Sequence, residues 1–203
     1  MNEKAVTQIP KKASPDEYLT NERHNVSRSD YINGRVIARS GSNRWHNLIV
    51  SNAAIAIGSR LHGHKCDIYI SSMRVKMKNN FISYPDLVLC SGEPAFADQN
   101  LDLLLNPTVV VEIFSAQTNT SDKTQKMENF LAMESIKECL MVKEDEMRVE
   151  HYARQNAKQW IYRIYNERDD VISLESVNCK LSLSEIYSQI KFGQAEFSSK
   201  AVN

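Results

Sequence analysis

The chain has 203 residues, enough for one domain with a single core, and 42% of them are hydrophobic, an ordinary share for a globular protein. Its 25 Lys and Arg balance 25 Asp and Glu. That balance counts against avid non-specific binding to nucleic acid, which depends on phosphate neutralisation, but it leaves room for a local basic groove. No apolar run approaches the roughly 20 residues of a membrane-spanning helix, and the polar start MNEKAVTQIPKKAS lacks the centre of a secretory signal. A cytoplasmic protein that does not enter the membrane is expected.

Residues 1–13 read as a disordered arm, 14–190 as one domain and 191–203 as a polar tail. Ser14-Pro15-Asp16-Glu17 opens a short helix to about Glu22, with Ser14 as cap, Pro15 in the first turn and acids at the N-terminus. In SDYINGRVIARSG, Asn33-Gly34 between apolar pairs marks a hairpin. Asn43 to about His62 is helical by the spacing of Trp45, Leu48, Ile49, Ala53 and Ala56. The runs CDIYIS, MRVKMK, YPDLVLC and TVVVEIF predict strands. LVL and VVV are apolar on both faces, as central strands are. The long irregular stretch SGEPAFADQNLDLLLNP is of the kind that often borders active sites.

Ser121 as cap and Asp122 at the opening predict a further helix whose buried stripe is Met127, Phe130 and Leu131. ECLMV is another strand, MRVEHYAR and QWIYRIYN form an antiparallel pair, and a last helix covers about 183–190. The sum is an α/β domain, a mixed central sheet flanked by helices. Cys66, Cys90, Cys139 and Cys179 show no zinc spacing and read as small buried hydrophobes.

Two carboxylates interrupt apolar strands: Asp86 in SYPDLVLC and Glu112 in TVVVEIF. An ionised acid in a central strand is costly unless it is paired or bound to a cation. On neighbouring strands the two would face each other and repel unless a divalent cation lay between them, and hard oxygen donors suit Mg²⁺ or Mn²⁺. Alone, Asp86 is also compatible with a turn cap and Glu112 with a buried ion pair. Lys126, four residues before Phe130, flanks the buried stripe. Its stem can carry the ammonium to the sheet, where it would steady charge developing on phosphorus. An ordinary surface lysine is the other reading. His46 is placed either toward the active edge of the sheet or in a capping or core hydrogen bond. Lys76 and Lys78 alternate outward and serve either as phosphate contacts or as solubilising charges. His62 and His64 are loop residues with no evident partner.

Pro85-Asp86 followed by Glu112 in a hydrophobic strand resembles the PD-(D/E)XK nuclease superfamily, whose fold is that of the restriction endonucleases. Within it, the chain is similar to the bacterial "putative restriction endonuclease" domain family. The matching pieces run in order through SPDEYL, SDYINGRVI, WHNLIVSNAAIAI, YISSMRVKM, YPDLVLCSGEPAF, LLNPTVVVEIFSAQT, SDKTQKMENF, SIKECLMV and MRVEHYAR, roughly residues 14–188.

The resemblance implies a metal-dependent nuclease in which Asp86 and Glu112 bind Mg²⁺ or Mn²⁺. The common pattern puts the catalytic lysine two residues after the strand acid, where Phe114 stands here; the resemblance moves that role to the following helix, onto Lys126. It also makes Asp30 a supplementary site residue, since glutamate is usual there; a polar residue at the hairpin edge is the other reading. Arg35 replaces an acid just after the hairpin glycine, and Ser115-Ala116-Gln117 lacks the usual proline. The implied activity is endonucleolytic hydrolysis of DNA, and a two-fold dimer would suit double-strand cleavage. The alternatives are an inactive nuclease-fold module for DNA binding or interaction, and nuclease chemistry on RNA.

Overall fold

The computed structural model describes residues 12–193 apart from 40, 116, 117 and 119. The expected arm and tail fall almost wholly outside the described residues, as does the Ala116-Gln117 departure. Helix α1 (Pro15–His24) begins at a complete capping box: the Ser14 hydroxyl accepts from Glu17 N, and the Glu17 carboxylate accepts from Ser14 N. The hairpin β1 (Ser29–Ile32) and β2 (Arg35–Ala38) turns at Asn33 and Gly34, both at positive φ, as the expected turn requires. Helix α2 (Arg44–Leu61) follows, capped by Asn43.

Strands β3 (Cys66–Ile70), β4 (Arg74–Met77), β5 (Phe81–Ser83) and β6 (Leu87–Ser91) come next. The pair β7 (Leu103–Leu104) and β8 (Val109–Phe114) leads into α3 (Thr120–Leu131). Then come β9 (Glu138–Lys143), β10 (Val149–Asn156), β11 (Gln159–Tyr165), β12 (Val171–Leu174), a 3-10 turn at Glu175–Val177, β13 (Cys179–Ser182) and α4 (Leu183–Ile186).

Eleven of these elements stand where expected; α3 and α4 differ at their ends, and β5, β7 and the β12–β13 pair were not foreseen. Helix α3 already includes Thr120, so Ser121 sits inside the first turn and is not its cap. Strand β5, three residues long, is too short to show a period. The β12–β13 pair and its left-handed Asn178 were not foreseen. Helix α4 stops at Ile186, well short of 190.

Six strands form the central sheet in the order β11-β10-β9-β8-β6-β3; β8 and β9 are parallel and the other neighbours antiparallel. A second sheet has the order β2-β1-β5-β4-β7. On one face of the central sheet, Leu87, Leu89, Val109 and Val111 pack with Ile49, Ala53 and Ile57 of α2. On the other face, Val88, Cys90, Val110 and Phe114 meet Val75 and Phe81 of the second sheet and Phe130 of α3. Helix α1 closes the far side of the second sheet through Tyr18 and Leu19 against Tyr31 and Ile82. Each fully buried aliphatic side chain here contributes about 1.5–3 kcal/mol.

Side chains alternate across a strand. Glu112 therefore shares a face with Val110 and Phe114, and Asp86 with Val88 and Cys90. Both acids enter the layer between the central sheet, the second sheet and α3.

Candidate active site

Strands β6 and β8 pair with Leu87 opposite Val111. One step further along that register, Asp86 and Glu112 take facing positions on the same side. Both are buried, at 3% and 5% exposure. Asp86 Oδ2 accepts the Ile113 N–H at 2.8 Å, and Oδ1 lies 3.1 Å from His46 Nε2 and 3.6 Å from Arg39. So Asp86 does act partly as a backbone cap, across strands rather than within a turn.

Lys126 reaches the strand acids as expected. Its ammonium pairs with Glu112 Oε1 and lies 3.6 Å from Asp30 Oδ2. Asp30 is buried and accepts from the Ser83 hydroxyl at 2.8 Å, so β1 and β5 fix it against the site instead of leaving it at a hairpin edge. Glu112 Oε2 is buried with no hydrogen-bond partner among the described residues.

Electrostatics split the two facing carboxylates. Burial works against the Asp86 anion, but the His46 hydrogen bond, the Ile113 N–H and Arg39 outweigh it and hold its pKa below the usual aspartate range. Burial dominates at Glu112 and pushes its pKa up; Lys126 opposes this and the Asp86 charge adds to it. Burial alone would lower the Lys126 pKa, yet Glu112 and Asp30 carry it above its ordinary value. Environments that push paired acids in opposite directions are common where one must stay ionised and the other can hold a proton.

His46 takes both of its anticipated directions at once. Its backbone N–H donates to the Asn43 cap at 2.9 Å, which sets the first turn of α2. Its ring bridges Asp86 and, at 3.8 Å from Nδ1, Glu144 just after β9. Burial opposes its charge, but Asp86 and Glu144 raise its pKa.

Two participants escaped the sequence reading. Arg39, directly after β2, lies 3.7 Å from Asp30 and 3.6 Å from Asp86 and donates to the Tyr84 carbonyl. Glu144 accepts from Asn43 Nδ2 at 2.8 Å. Neither belongs to a motif. The hairpin register could have hinted at Arg39, which follows the strand carrying Ile37 opposite Asp30.

These groups border a cleft of about 360 Å³ whose walls include Asp30, Arg39, His46, Glu112, Lys126 and Glu144. Asp86 is set behind His46 and Arg39 and is not part of its lining. Lys123 also faces the cleft, but its ammonium lies 3.2 Å from Glu150 and 3.8 Å from the centre of the Phe114 ring. Lys76 and Lys78 do not line the cleft: Lys76 is exposed on β4, and Lys78 pairs with Glu134 beside a separate groove. The long stretch before β8 does not border the cleft either. Its Asp98 and Asp102 anchor to Arg23 of α1, and Asn106 stitches it internally through Ala95 and Glu93.

The donor set suits a hard divalent cation: Asp86 and Glu112 offer carboxylate oxygens, and Glu112 Oε2 is buried without a partner. Among the described residues, no three His, Cys, Asp or Glu side chains form a metal-binding group, so solvent or substrate oxygens would complete the shell.

Residues 15–184 match the Uma2 family, described as "Putative restriction endonuclease". The chain belongs to the Uma2 family. It is similar to two proteins of Synechocystis sp. (strain ATCC 27184 / PCC 6803 / Kazusa). To "Uncharacterized protein sll1609" it is 27% identical over 146 residues, 71% of this chain and 82% of that one. To "Uncharacterized protein slr1290" it is 24% identical over 184 residues, 89% of this chain and 94% of that one. Among solved structures, "a putative nuclease belonging to DUF820" from Anabaena variabilis ATCC 29413 superposes with a TM-score of 0.72 at 18% identity, covering 88% of this chain and 99% of the other. At that identity the likeness speaks for the fold, which is restriction-endonuclease-like. No helix among the described residues is long and apolar enough to cross a membrane.

Proposed function

We propose that this Uma2-family chain is a divalent-metal-dependent endonuclease that hydrolyses phosphodiester bonds in DNA. The observation that carries the reading is the meeting of Glu112 with Lys126 beside Asp86, with one Glu112 oxygen unpartnered at the cleft. Asp86 and Glu112 would hold Mg²⁺ or Mn²⁺, which would supply Lewis-acid polarisation of the scissile phosphate. Lys126 would neutralise charge that develops on the phosphoryl oxygens, from a position fixed by Glu112 and Asp30. His46 would keep Asp86 ionised and oriented.

The test is a supercoiled-plasmid assay with Mg²⁺, Mn²⁺, Ca²⁺ or EDTA. Nicking or linearisation with Mg²⁺ or Mn²⁺, and none in EDTA, is expected. One observation favours a second reading, an inactive nuclease-fold module that binds DNA or another partner: Asp86 is absent from the cleft wall, and both its oxygens are engaged by protein groups. Failure to cut DNA or RNA with any of these metals, together with retained DNA binding, would move that reading ahead.

A further inference from the structure

Three carboxylates, Asp30, Asp86 and Glu112, converge on the site, and two permanently cationic side chains, Lys126 and Arg39, lie among them. The two cations are held differently. Lys126 makes a direct hydrogen bond to Glu112. Arg39 stands 3.6 Å from Asp86 and 3.7 Å from Asp30, beyond hydrogen-bond length, and its direct hydrogen bond from this group goes to the Tyr84 carbonyl. Its grip on the acids is therefore one of charge, without the directional bonds that would make it hard to displace.

We propose that Arg39 is a built-in counter-ion that competes with the divalent metal for the Asp86 carboxylate and so sets metal affinity. This rests on the reading that Asp86 and Glu112 hold the metal. Without Arg39, Lys126 alone would face three carboxylates. The uncompensated charge would then match that of a divalent cation. With Arg39 in place, one negative charge is left, and His46 already leans on it through Asp86. A metal arriving in the parent must meet a guanidinium whose charge it repels, and Arg39 must swing away, the cleft beside it being the open direction. An arginine freed from Asp86 in this way keeps its charge and faces the space a phosphodiester would fill.

The experiment is calorimetric titration of Mn²⁺ into the parent, Arg39→Met, Arg39→Gln and Arg39→Lys, without substrate, each checked for folding by circular dichroism. Gln can still donate to the Tyr84 carbonyl and covers the case in which Met there fails to fold. Removing one positive charge beside a divalent site should tighten Mn²⁺ binding on the order of tenfold or more in the Met and Gln variants. Arg39→Lys, which keeps the charge, should stay near the parent. Equal or weaker binding in folded Met or Gln variants would overturn the proposal. Tightening by Arg39→Lys to the same degree would overturn it too, since the effect would then not be one of charge. Absence of Mn²⁺ binding in the parent and in every variant would sink the two-carboxylate reading, and this inference with it.

Discussion

Glu112 and Lys126 lie 14 residues apart, one in a central strand and one on the helix that follows, and they meet as an ion pair in which Glu112 is buried and Lys126 partly so. Removing Lys126 alone leaves the buried Glu112 carboxylate without its closest partner. Lys126→Met is expected to destabilise the metal-free protein by about 3 kcal/mol or more at neutral pH. The double variant Glu112→Gln with Lys126→Met should recover much of that loss, because neither charge then remains unpaired. Urea melts in EDTA of both single variants and the double give the coupling directly. Additive losses would show that the pair contributes little.

Lys126 and Lys123 lie almost one turn apart on α3 and have different partners. Lys123 is occupied by Glu150 and the Phe114 ring, Lys126 by the site acids. In the plasmid assay, Lys126→Met should lose on the order of a hundredfold or more in rate. Lys123→Met should lose far less. The comparison has to be made on the fraction that is folded at the assay temperature, given the stability cost above. A larger loss from Lys123→Met would reassign the catalytic lysine.

Mn²⁺ should raise the melting temperature of the parent relative to EDTA, since a ligand of the native state alone stabilises it by about 2.7 kcal/mol at a hundred times its Kd. Asp86→Ala should lose that rise. Differential scanning fluorimetry across a Mn²⁺ series measures it, and an undiminished rise in Asp86→Ala would remove Asp86 from the metal site.

Away from the cleft, Glu138 on β9 accepts from His151 at 3.1 Å and from the backbone and hydroxyl of Ser176. Burial works to raise its pKa, but these bonds outweigh it and leave the pKa below the ordinary 4.5. A depressed carboxylate contributes stability that is fully present above its unfolded pKa and is lost as pH falls through the folded value. The parent should therefore weaken as pH drops below about 4.5, and Glu138→Gln should show a shallower decline there while being less stable at neutral pH. Urea midpoints between neutral and strongly acidic pH test this. Parallel curves would exclude Glu138 as a contributor.

Much of the fold was legible because local signals and tertiary contacts agree. Asn33-Gly34 needs positive φ and has it; the Ser14 box caps α1; LVL and VVV became the buried neighbours β6 and β8. Elements that exist only through long-range pairing were silent. Strand β5 forms because β1 and β4 flank it, and β7 because β4 offers a parallel edge. The site divides the same way. Asp86, Glu112 and Lys126 interrupt or flank apolar patterns and so announce themselves. Arg39 and Glu144 sit just past strand ends, where charged residues are ordinary, and only the tertiary arrangement that sets the ends of β2 and β9 beside the start of α2 brings them to His46 and the acids.

The hydrogen bond from Ile113 N–H to Asp86 Oδ2 joins β6 to β8, and under the proposed function the same carboxylate would also hold the cation. Truncation to alanine removes both at once, so inactivity in Asp86→Ala could arise from a loosened sheet. Asparagine retains an acceptor oxygen for Ile113 while giving up the charge. Under the proposed function, Asp86→Asn is therefore the form to prepare as a bait for trapping and sequencing any polynucleotide bound at the cleft.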